Sequence, residues 1–223
     1  MEKTLQIDET VEGRDSALRV AAVIAIPILA VTLSYYFLDR QLAIITHAYT
    51  HGVPFFVWLT YIPAPLAPIA SVLAAFVGAR ALARGSLIYT ESTLLRASCA
   101  ILIAGVLTHE LKDVFGRTWP ETWVNNNPSY FGDETYGFFP FHGGQGYRSF
   151  PSGHTTAIAA AAGAAWCLWP KLRWLGAALA LAVAIGLMGA DYHWLSDIMA
   201  GGTVGVSTGV AAAKIGRGNP TTA

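Results

Sequence analysis

Apolar residues run through most of the chain in long blocks that short polar segments separate. A membrane-spanning helix needs about 20 mainly apolar residues. Six blocks are candidates, and the fourth and fifth reach this length only if their polar ends face protein rather than lipid. The six blocks are residues 17–38, 54–79, 93–111, 155–169, 174–189 and 196–213. The pattern predicts an all-α fold, a bundle of six transmembrane helices in a single domain over residues 1–223.

Prolines should modify two of these predicted helices. Pro27 is expected to kink the first, and Pro63, Pro65 and Pro68 interrupt the first half of the second. A proline inside a helix frees backbone groups that lipid cannot bond. We therefore expect that half to be irregular, or to pack against protein.

Two polar segments flank or separate the predicted helices. Residues 1–16 are too acidic for a secretory signal peptide and predict a polar N-terminal tail before a retained first helix. Residues 112–151, between helices 3 and 4, are polar, aromatic and glycine-rich. A connection of this length is usually functional or disordered. We interpret it as an active-site loop.

Composition supports a membrane protein. Hydrophobic residues make up 54% of the chain and charged residues only 13%, whereas soluble domains carry about 25% charged residues. The formal net charge of zero gives no indication of a nucleic-acid partner. Cys99 and Cys167 lie in apolar blocks and form neither a disulfide framework nor a CxxC pattern.

The basic residues predict an orientation. Short cytoplasmic loops collect Lys and Arg. With six spans and the N-terminus inside, all 14 basic residues fall in inner segments except Arg40, Lys112, Arg117 and Arg148. Both termini are therefore expected inside and the long loop outside. Three of the four exceptions lie in that loop, which suggests that positive charge is needed there.

Candidate chemistry collects at the predicted outer ends of the last four helices. Because these ends share one level, the topology allows their side chains to converge, and ionisable residues at membrane depth are functional candidates. Lys and Arg bind phosphate oxygens, and a helix that starts at Ser-Gly offers free N–H groups to an anion. Two histidines can supply a nucleophile and a general acid. The residues are Lys112, Arg117, Arg148, Ser152, Gly153, His154, His193 and Asp197.

A metal site is the competing interpretation of His154, His193 and Asp197. Three neighbouring cations that suit phosphate would repel a divalent ion. We therefore predict catalysis without a metal and without a cofactor.

These residues resemble the motifs of the type 2 phosphatidic acid phosphatase family, which shares its site with vanadium haloperoxidases. Pro-Ser-Gly-His stands at 151–154, and His-x3-Asp ends at Asp197. The Lys-x6-Arg-Pro motif is partial, because Lys112 and Pro120 are present but Trp119 occupies the arginine position. The Ser-Arg pair of the third motif is missing, and Gly186 and Leu187 stand there instead.

The resemblance implies roles for the matching residues. His193 would be the nucleophile, Asp197 its orienting carboxylate and His154 the general acid. The phosphate would be bound by Lys112, Arg117, Arg148, Ser152 and Gly153. Of these, Arg117 and Arg148 are our hypothesised replacements for the two missing arginines.

The resemblance implies a phosphatase that hydrolyses a lipid phosphate monoester or pyrophosphate through a phosphohistidine. Candidate substrates are phospholipids, polyprenyl pyrophosphates and lipid A phosphates. Two alternatives remain open at this point: a lipid phosphotransferase that uses the same site, and a non-catalytic membrane protein of this family.

The predicted location is the inner (plasma) membrane with the site on the periplasmic face. His47 and His51 are expected in an outer loop, and Asp191 either tunes His193 or caps a turn.

Overall fold

The fold is all-helical in the computed structural model, which describes residues 2–123 and 125–215. In chain order the helices are α1 (Glu2–Leu33), α2 (Asp39–Thr50), α3 (Pro54–Thr60), α4 (Leu66–Arg84), α5 (Tyr89–Phe115), α6 (Tyr130–Asp133), α7 (Gly153–Leu168), α8 (Arg173–Gly189) and α9 (Leu195–Lys214). Within these ranges, β pairing is limited to isolated bridges. The predicted all-α class is confirmed.

Four segments of the described chain are long and apolar enough to cross a membrane. They are Leu18–Thr50, Leu66–Arg84, Tyr89–Phe115 and Pro170–Gly189. Large apolar side chains on these helices are exposed, for example Val23 at 68% and Phe76 at 58%, as expected of surfaces that face lipid. The predicted fourth and sixth spans, now α7 and α9, are not among the four. The six-helix count therefore stays a prediction.

The first span is longer than predicted. A π-helical turn, Ser34–Leu38, joins α1 directly to α2, so helix continues to Thr50. Pro27 lies within α1 without ending it. Residue 1 of the predicted tail lies outside the described residues. The rest of the tail is helical and forms the beginning of α1, which starts at Glu2. The outer-loop expectation was wrong for His47, which lies in the last turn of α2, while His51 directly follows that helix.

The proline-rich first half of the second predicted span is interrupted, as expected. Turns at residues 61–65 separate the short α3 from α4. α3 packs closely against α8, where a Cβ on Gly186 would lie 2.6 Å from Cβ of Leu59. A Cβ on Gly189 would lie 2.3 Å from the Phe56 ring. The interrupted segment therefore packs against protein.

α7 and α9 pack very closely, because glycines recur every fourth residue on one face of α9. A Cβ on Gly201, Gly205 or Gly209 would lie 2.4 Å from a backbone oxygen of Ser152, Thr156 or Ala160. Small residues at a helix interface let two backbones approach closely. This packing brings the N-termini of α7 and α9 side by side, and these termini carry His154 and Asp197.

Residues 116–152 connect α5 to α7 and contain α6 and a 3₁₀ turn, Gln145–Tyr147. α5 extends beyond its predicted end, so Lys112 lies in its last turn rather than in the connection. The helix stops at Gly116, whose φ of +59° favours glycine. A Cβ there would lie 1.8 Å from the Phe139 carbonyl oxygen, so the connection folds back tightly against the helix end.

Candidate active site

A cavity of about 970 Å³ opens where the ends of α5, α7 and α8 meet the long connection. Five of the predicted site residues line it, namely Lys112, Arg148, Gly153, His154 and His193. Asp197, Arg117 and Ser152 are fully buried beside it and do not line it. The structure therefore brings all eight predicted residues together, five at the cavity wall and three buried behind it.

His193 and Asp197 form a buried pair at the cavity wall. Nδ1 of His193 lies 3.2 Å from Oδ2 of Asp197, a geometry in which a protonated Nδ1 donates to the carboxylate. The same oxygen accepts from the Ser149 hydroxyl at 2.5 Å and from the Trp194 N–H at 3.2 Å. These bonds leave Nε2 as the unprotonated ring nitrogen. His193 is thus oriented as a nucleophile or base.

Burial determines the protonation state of His193. Desolvation lowers its pKa to about 4, and the hydrogen bond to Asp197 only partly offsets that effect. The nearby Lys112 and His154 also act to lower it. The imidazole is therefore neutral at physiological pH, as a nucleophile requires.

His154 faces His193 across the cavity. The two ring centroids are 6.4 Å apart. Both side chains line the same cavity. One phosphoryl group could therefore contact both rings. Gly153 begins α7 beside them, so its free N–H and the positive end of the helix lie at the same place.

Ser152 has a structural position rather than the ligand-binding one expected. It is the N-cap of α7, where its hydroxyl accepts hydrogen bonds from the N–H and the hydroxyl of Thr155 at 3.4 and 3.2 Å. Its own N–H donates to the Asp197 carbonyl at 3.0 Å. Ser152 therefore joins the start of α7 to the first turn of α9 and has no exposed surface.

Arg117 is buried in a network of charges behind Asp197. One terminal nitrogen donates to Asp197 Oδ1 at 2.5 Å, and the other donates to Asp39 Oδ2 at 2.7 Å. All three side chains have zero exposure. Burial acts to lower the pKa of Arg117, but Asp197 and then Asp39 more than offset this, so the pKa lies above its ordinary value. In this structure Arg117 contacts the orienting carboxylate and does not reach the cavity.

Arg148 and Lys112 supply the positive charge at the cavity wall. The Arg148 guanidinium donates to the Asp113 carboxylate and lies 3.0 Å from Nδ1 of His109. Lys112 Nζ donates to the backbone carbonyls of Arg148 and, at 3.4 Å, Ser149. An anion in the cavity would meet both cations.

Aromatic rings cover the side of the cavity where the resemblance would place an arginine. Trp119 lies 5.1 Å from the His193 ring, centroid to centroid, and its indole N–H donates to the Gln145 carbonyl at 2.9 Å. Trp123 packs edge-on against Tyr192 at 4.1 Å, and both also line the cavity. The replacement of a cation by Trp119 makes this wall apolar and flat.

Two residues of this network, Asp39 and Ser149, were not predicted from the sequence. Asp39 directly follows the first predicted span, where an acidic residue ordinarily meets headgroups or water. In the structure it accepts from Arg117 and also from the Ser196 N–H at 2.9 Å. Ser149 lies two residues before the Pro-Ser-Gly-His motif, and that proximity was the only available indication. Its neighbours in space come from α9, which a one-dimensional pattern does not reveal.

Comparison with known proteins gives three findings. Lipid A 1-phosphatases of Rhizobium johnstonii and Rhizobium etli are each 34% identical over 106 residues, which is 45% of this chain. The matched region covers 38% and 40% of those relatives, so the similarity spans well under half of their length. A transmembrane PAP2-type phosphatidylglycerolphosphate phosphatase from Bacillus subtilis aligns with 95% of this chain and 94% of its own, at a TM-score of 0.47 and 15% identity.

The third finding is a family match that covers His154 and His193. It also covers Arg117 and Asp197 of the charge network but not Asp39. The PAP2 superfamily model matches residues 93–220, more than half of the chain, and includes all but the first four residues of α5 together with α7, α8 and α9. Three of these helices, α5, α7 and α8, have ends that form the cavity described above. The chain therefore belongs to the PAP2 superfamily.

Proposed function

We propose that this protein is a membrane-bound lipid phosphatase that hydrolyses a phosphate monoester through a phosphohistidine on His193. The observation that carries the proposal is the opposition of His193 and His154 across one cavity, with Asp197 bonded behind His193. This arrangement supplies a nucleophile, its orienting carboxylate and a proton donor for the leaving group.

The first chemical step forms the covalent intermediate. Nε2 of His193 attacks phosphorus, and the bond from phosphorus to the lipid oxygen breaks. A protonated His154 donates its proton to that oxygen, so the lipid leaves as an alcohol. Asp197 stabilises the positive charge that develops on the His193 ring, as a carboxylate hydrogen-bonded to Nδ1 does in other histidine-dependent hydrolases.

The second step releases phosphate. His154, now neutral, accepts a proton from water while the water oxygen attacks phosphorus. The bond between phosphorus and Nε2 breaks, which restores neutral His193 and protonated His154. Lys112, Arg148 and the N–H of Gly153 are the groups that would bind the phosphoryl oxygens in both steps. Ser152 and Arg117 would contribute through the positions of α7 and Asp197.

The wall of Trp119, Trp123 and Tyr192 favours a substrate that has a flat apolar face next to its phosphate. Large rigid rings bury much area against such a face. A phosphorylated sugar on a lipid has that shape, and the curated relatives are named lipid A 1-phosphatases. We therefore propose a lipid A-type sugar phosphate as the first substrate to test. Phosphatidate, phosphatidylglycerol phosphate and undecaprenyl pyrophosphate form the comparison panel.

We also propose that α7 and α9 cross the membrane, which makes six spans. Their limited apolar length is consistent with this, because they pack mainly on each other and on α5 rather than on lipid. The site would then face the periplasm from the inner membrane. A cysteine at exposed Phe141, in a chain without Cys99 and Cys167, should react with a membrane-impermeant maleimide in intact cells; reaction only after lysis would reverse this orientation.

The catalytic test measures inorganic phosphate release from the lipid panel, in detergent with a chelator present. We expect the parent protein to release phosphate and His193→Ala to lose about 10³-fold or more of that rate. His142→Ala is the matched control, because that exposed loop histidine lies outside the cavity. An alkali-stable, acid-labile protein-bound phosphate should form in the parent. Release that survives in His193→Ala would refute the mechanism.

A further inference from the structure

A second cluster of polar side chains lies next to the site but outside its cavity. His47 and His51, four residues apart on one face of the α2 terminus, both direct Nδ1 at the same carboxylate oxygen of Asp191. The distances are 2.8 Å and 3.0 Å. Oε2 of Glu121 lies 3.9 Å from Nδ1 of His47. None of the steps proposed above uses these four residues.

Their spacing suits a tetrahedral metal ion. Zn²⁺ binds imidazole nitrogen and carboxylate oxygen at about 2.0–2.2 Å, which puts neighbouring ligand atoms about 3.3 Å apart. The contacts from Asp191 to the two histidines are slightly shorter than this, and the contact from His47 to Glu121 is slightly longer. The ligand atoms of His47, His51 and Glu121 all lie within 4.8 Å of one another. Asp191 is not in that group, so its carboxylate and that of Glu121 would have to move towards each other to share one ion.

The Asp191 carboxylate is the second observation that points to a cation. Asp191 is 1% exposed, and its Oδ1 has no hydrogen-bond partner among the described residues. A buried carboxylate oxygen without a partner carries a large desolvation penalty. Oδ2 is the oxygen that faces the histidines, so a cation bound by both oxygens of Asp191 would remove that penalty. In the part of the chain that the structure describes, the ion-pair partners of Asp191 and Glu121 are histidines and include no Lys or Arg.

The cluster is also oriented and accessible. The His47 ring stacks on Phe131 at a centroid distance of 3.9 Å, which restricts its rotation. The side chains of His47 and His51 are 32% and 50% exposed, so an ion can reach them from solvent. Two imidazole nitrogens and two carboxylates form a ligand set that suits a divalent transition-metal ion rather than an anion.

We propose that His47, His51, Asp191 and Glu121 bind a divalent transition-metal ion of the Zn²⁺ type. The ion would replace the hydrogen bonds that the two histidines make with Asp191. It would tie the end of α2 to the turn between α8 and α9, which also carries His193. This site is separate from His154, His193 and Asp197, and it supplies no group to the phosphatase reaction proposed above.

The test is zinc binding by the full-length, tag-free protein in detergent, measured by calorimetry without any lipid phosphate. We expect one Zn²⁺ per chain. At a hundredfold excess over Kd, Zn²⁺ should raise the unfolding temperature by about 5–10 °C. His47→Gln with His51→Gln, which keeps hydrogen-bonding side chains next to Asp191, should weaken binding at least tenfold. His142→Ala is the matched control and should bind as the parent does.

A second variant protects the test against misfolding. Glu121→Gln keeps the shape of the side chain and should also weaken Zn²⁺ binding tenfold, while its unfolding temperature without metal stays at the parent value. Absence of binding by the parent would overturn the proposal. So would parent-like affinity in both Gln variants, because the ion would then lie elsewhere. Since no substrate is present, failure of the phosphatase proposal would not change these outcomes.

Discussion

Replacement of Arg117 by methionine separates the two roles that this arginine could have. The sequence suggested that Arg117 binds phosphate, whereas the structure surrounds it with Asp39 and Asp197 at zero exposure. Methionine has a similar length and no charge. Arg117→Met therefore leaves two buried carboxylates without their shared cation. The substitution also removes the guanidinium group, whose carbon lies 4.9–5.4 Å from the centroids of four aromatic rings, those of Tyr35, Tyr136, Phe138 and Trp194.

The expected magnitude follows from burial. Removal of one partner from a buried ion pair costs about 3–5 kcal/mol, because the remaining charge is desolvated and unpaired. Both pairs here are short, at 2.5 and 2.7 Å, and fully buried. We expect the free energy of unfolding to fall by about 3–5 kcal/mol in Arg117→Met. The rate constant kcat should fall as well, because Asp197 loses the cation that fixes its carboxylate behind His193.

Equilibrium urea unfolding in mild detergent, followed by the fluorescence of the seven tryptophans, measures the stability change. Arg148→Met is the matched control, since Arg148 lines the cavity and pairs with a half-exposed Asp113. It should raise KM about ten- to a hundredfold with a stability change below about 1 kcal/mol. Unchanged catalysis in Arg148→Met would remove our idea that Arg148 replaces a motif arginine.

A rescue variant sharpens the interpretation. Asp39→Asn in the Arg117→Met background removes one of the two unpaired carboxylates, so part of the lost stability should return. The reasoning would be refuted if Arg117→Met unfolded within about 0.5 kcal/mol of the parent and raised KM instead. That result would mean that Arg117 binds the phosphate, as the sequence alone suggested.

Two further predictions concern helix packing and pH. Gly205→Ala should destabilise the protein by about 1–3 kcal/mol, because the new Cβ would lie 2.4 Å from the Thr156 carbonyl oxygen. Gly78→Ala, in open space on α4, should be neutral or slightly stabilising, and parent-like unfolding of Gly205→Ala would contradict the close α7–α9 contact. In chelator, kcat should fall on the acid side near pH 4 rather than near 6.5, because burial keeps His193 neutral down to that pH. We use kcat because kcat/KM also reports the second pKa of a free phosphate monoester, about 6. An acid limb at 6.5 would indicate a solvated nucleophile.

The positions of most helices and of the two histidines were predictable from the sequence, because they depend on local patterns. Long apolar blocks predicted helices that overlap α1, α4, α5 and α8, and the Pro-Ser-Gly-His motif predicted the start of α7. Helix ends were less predictable. α5 continues to Phe115, and helix runs through the π-helical turn into α2, so both helices extend beyond the apolar blocks that predicted them.

The sequence by itself therefore determined the helical class, the family motifs and the candidate set of charged and histidine residues. Tertiary structure decided which of them face the cavity. Arg117 and Asp39 are 78 residues apart in sequence, and His47 and Asp191 are 144 apart. No local pattern encodes such pairs. The first pair forms where water is excluded, because the long connection folds back on the helix ends and carries Arg117 into the interior. The second forms because the turn after α8 meets the end of α2 at the edge of the protein.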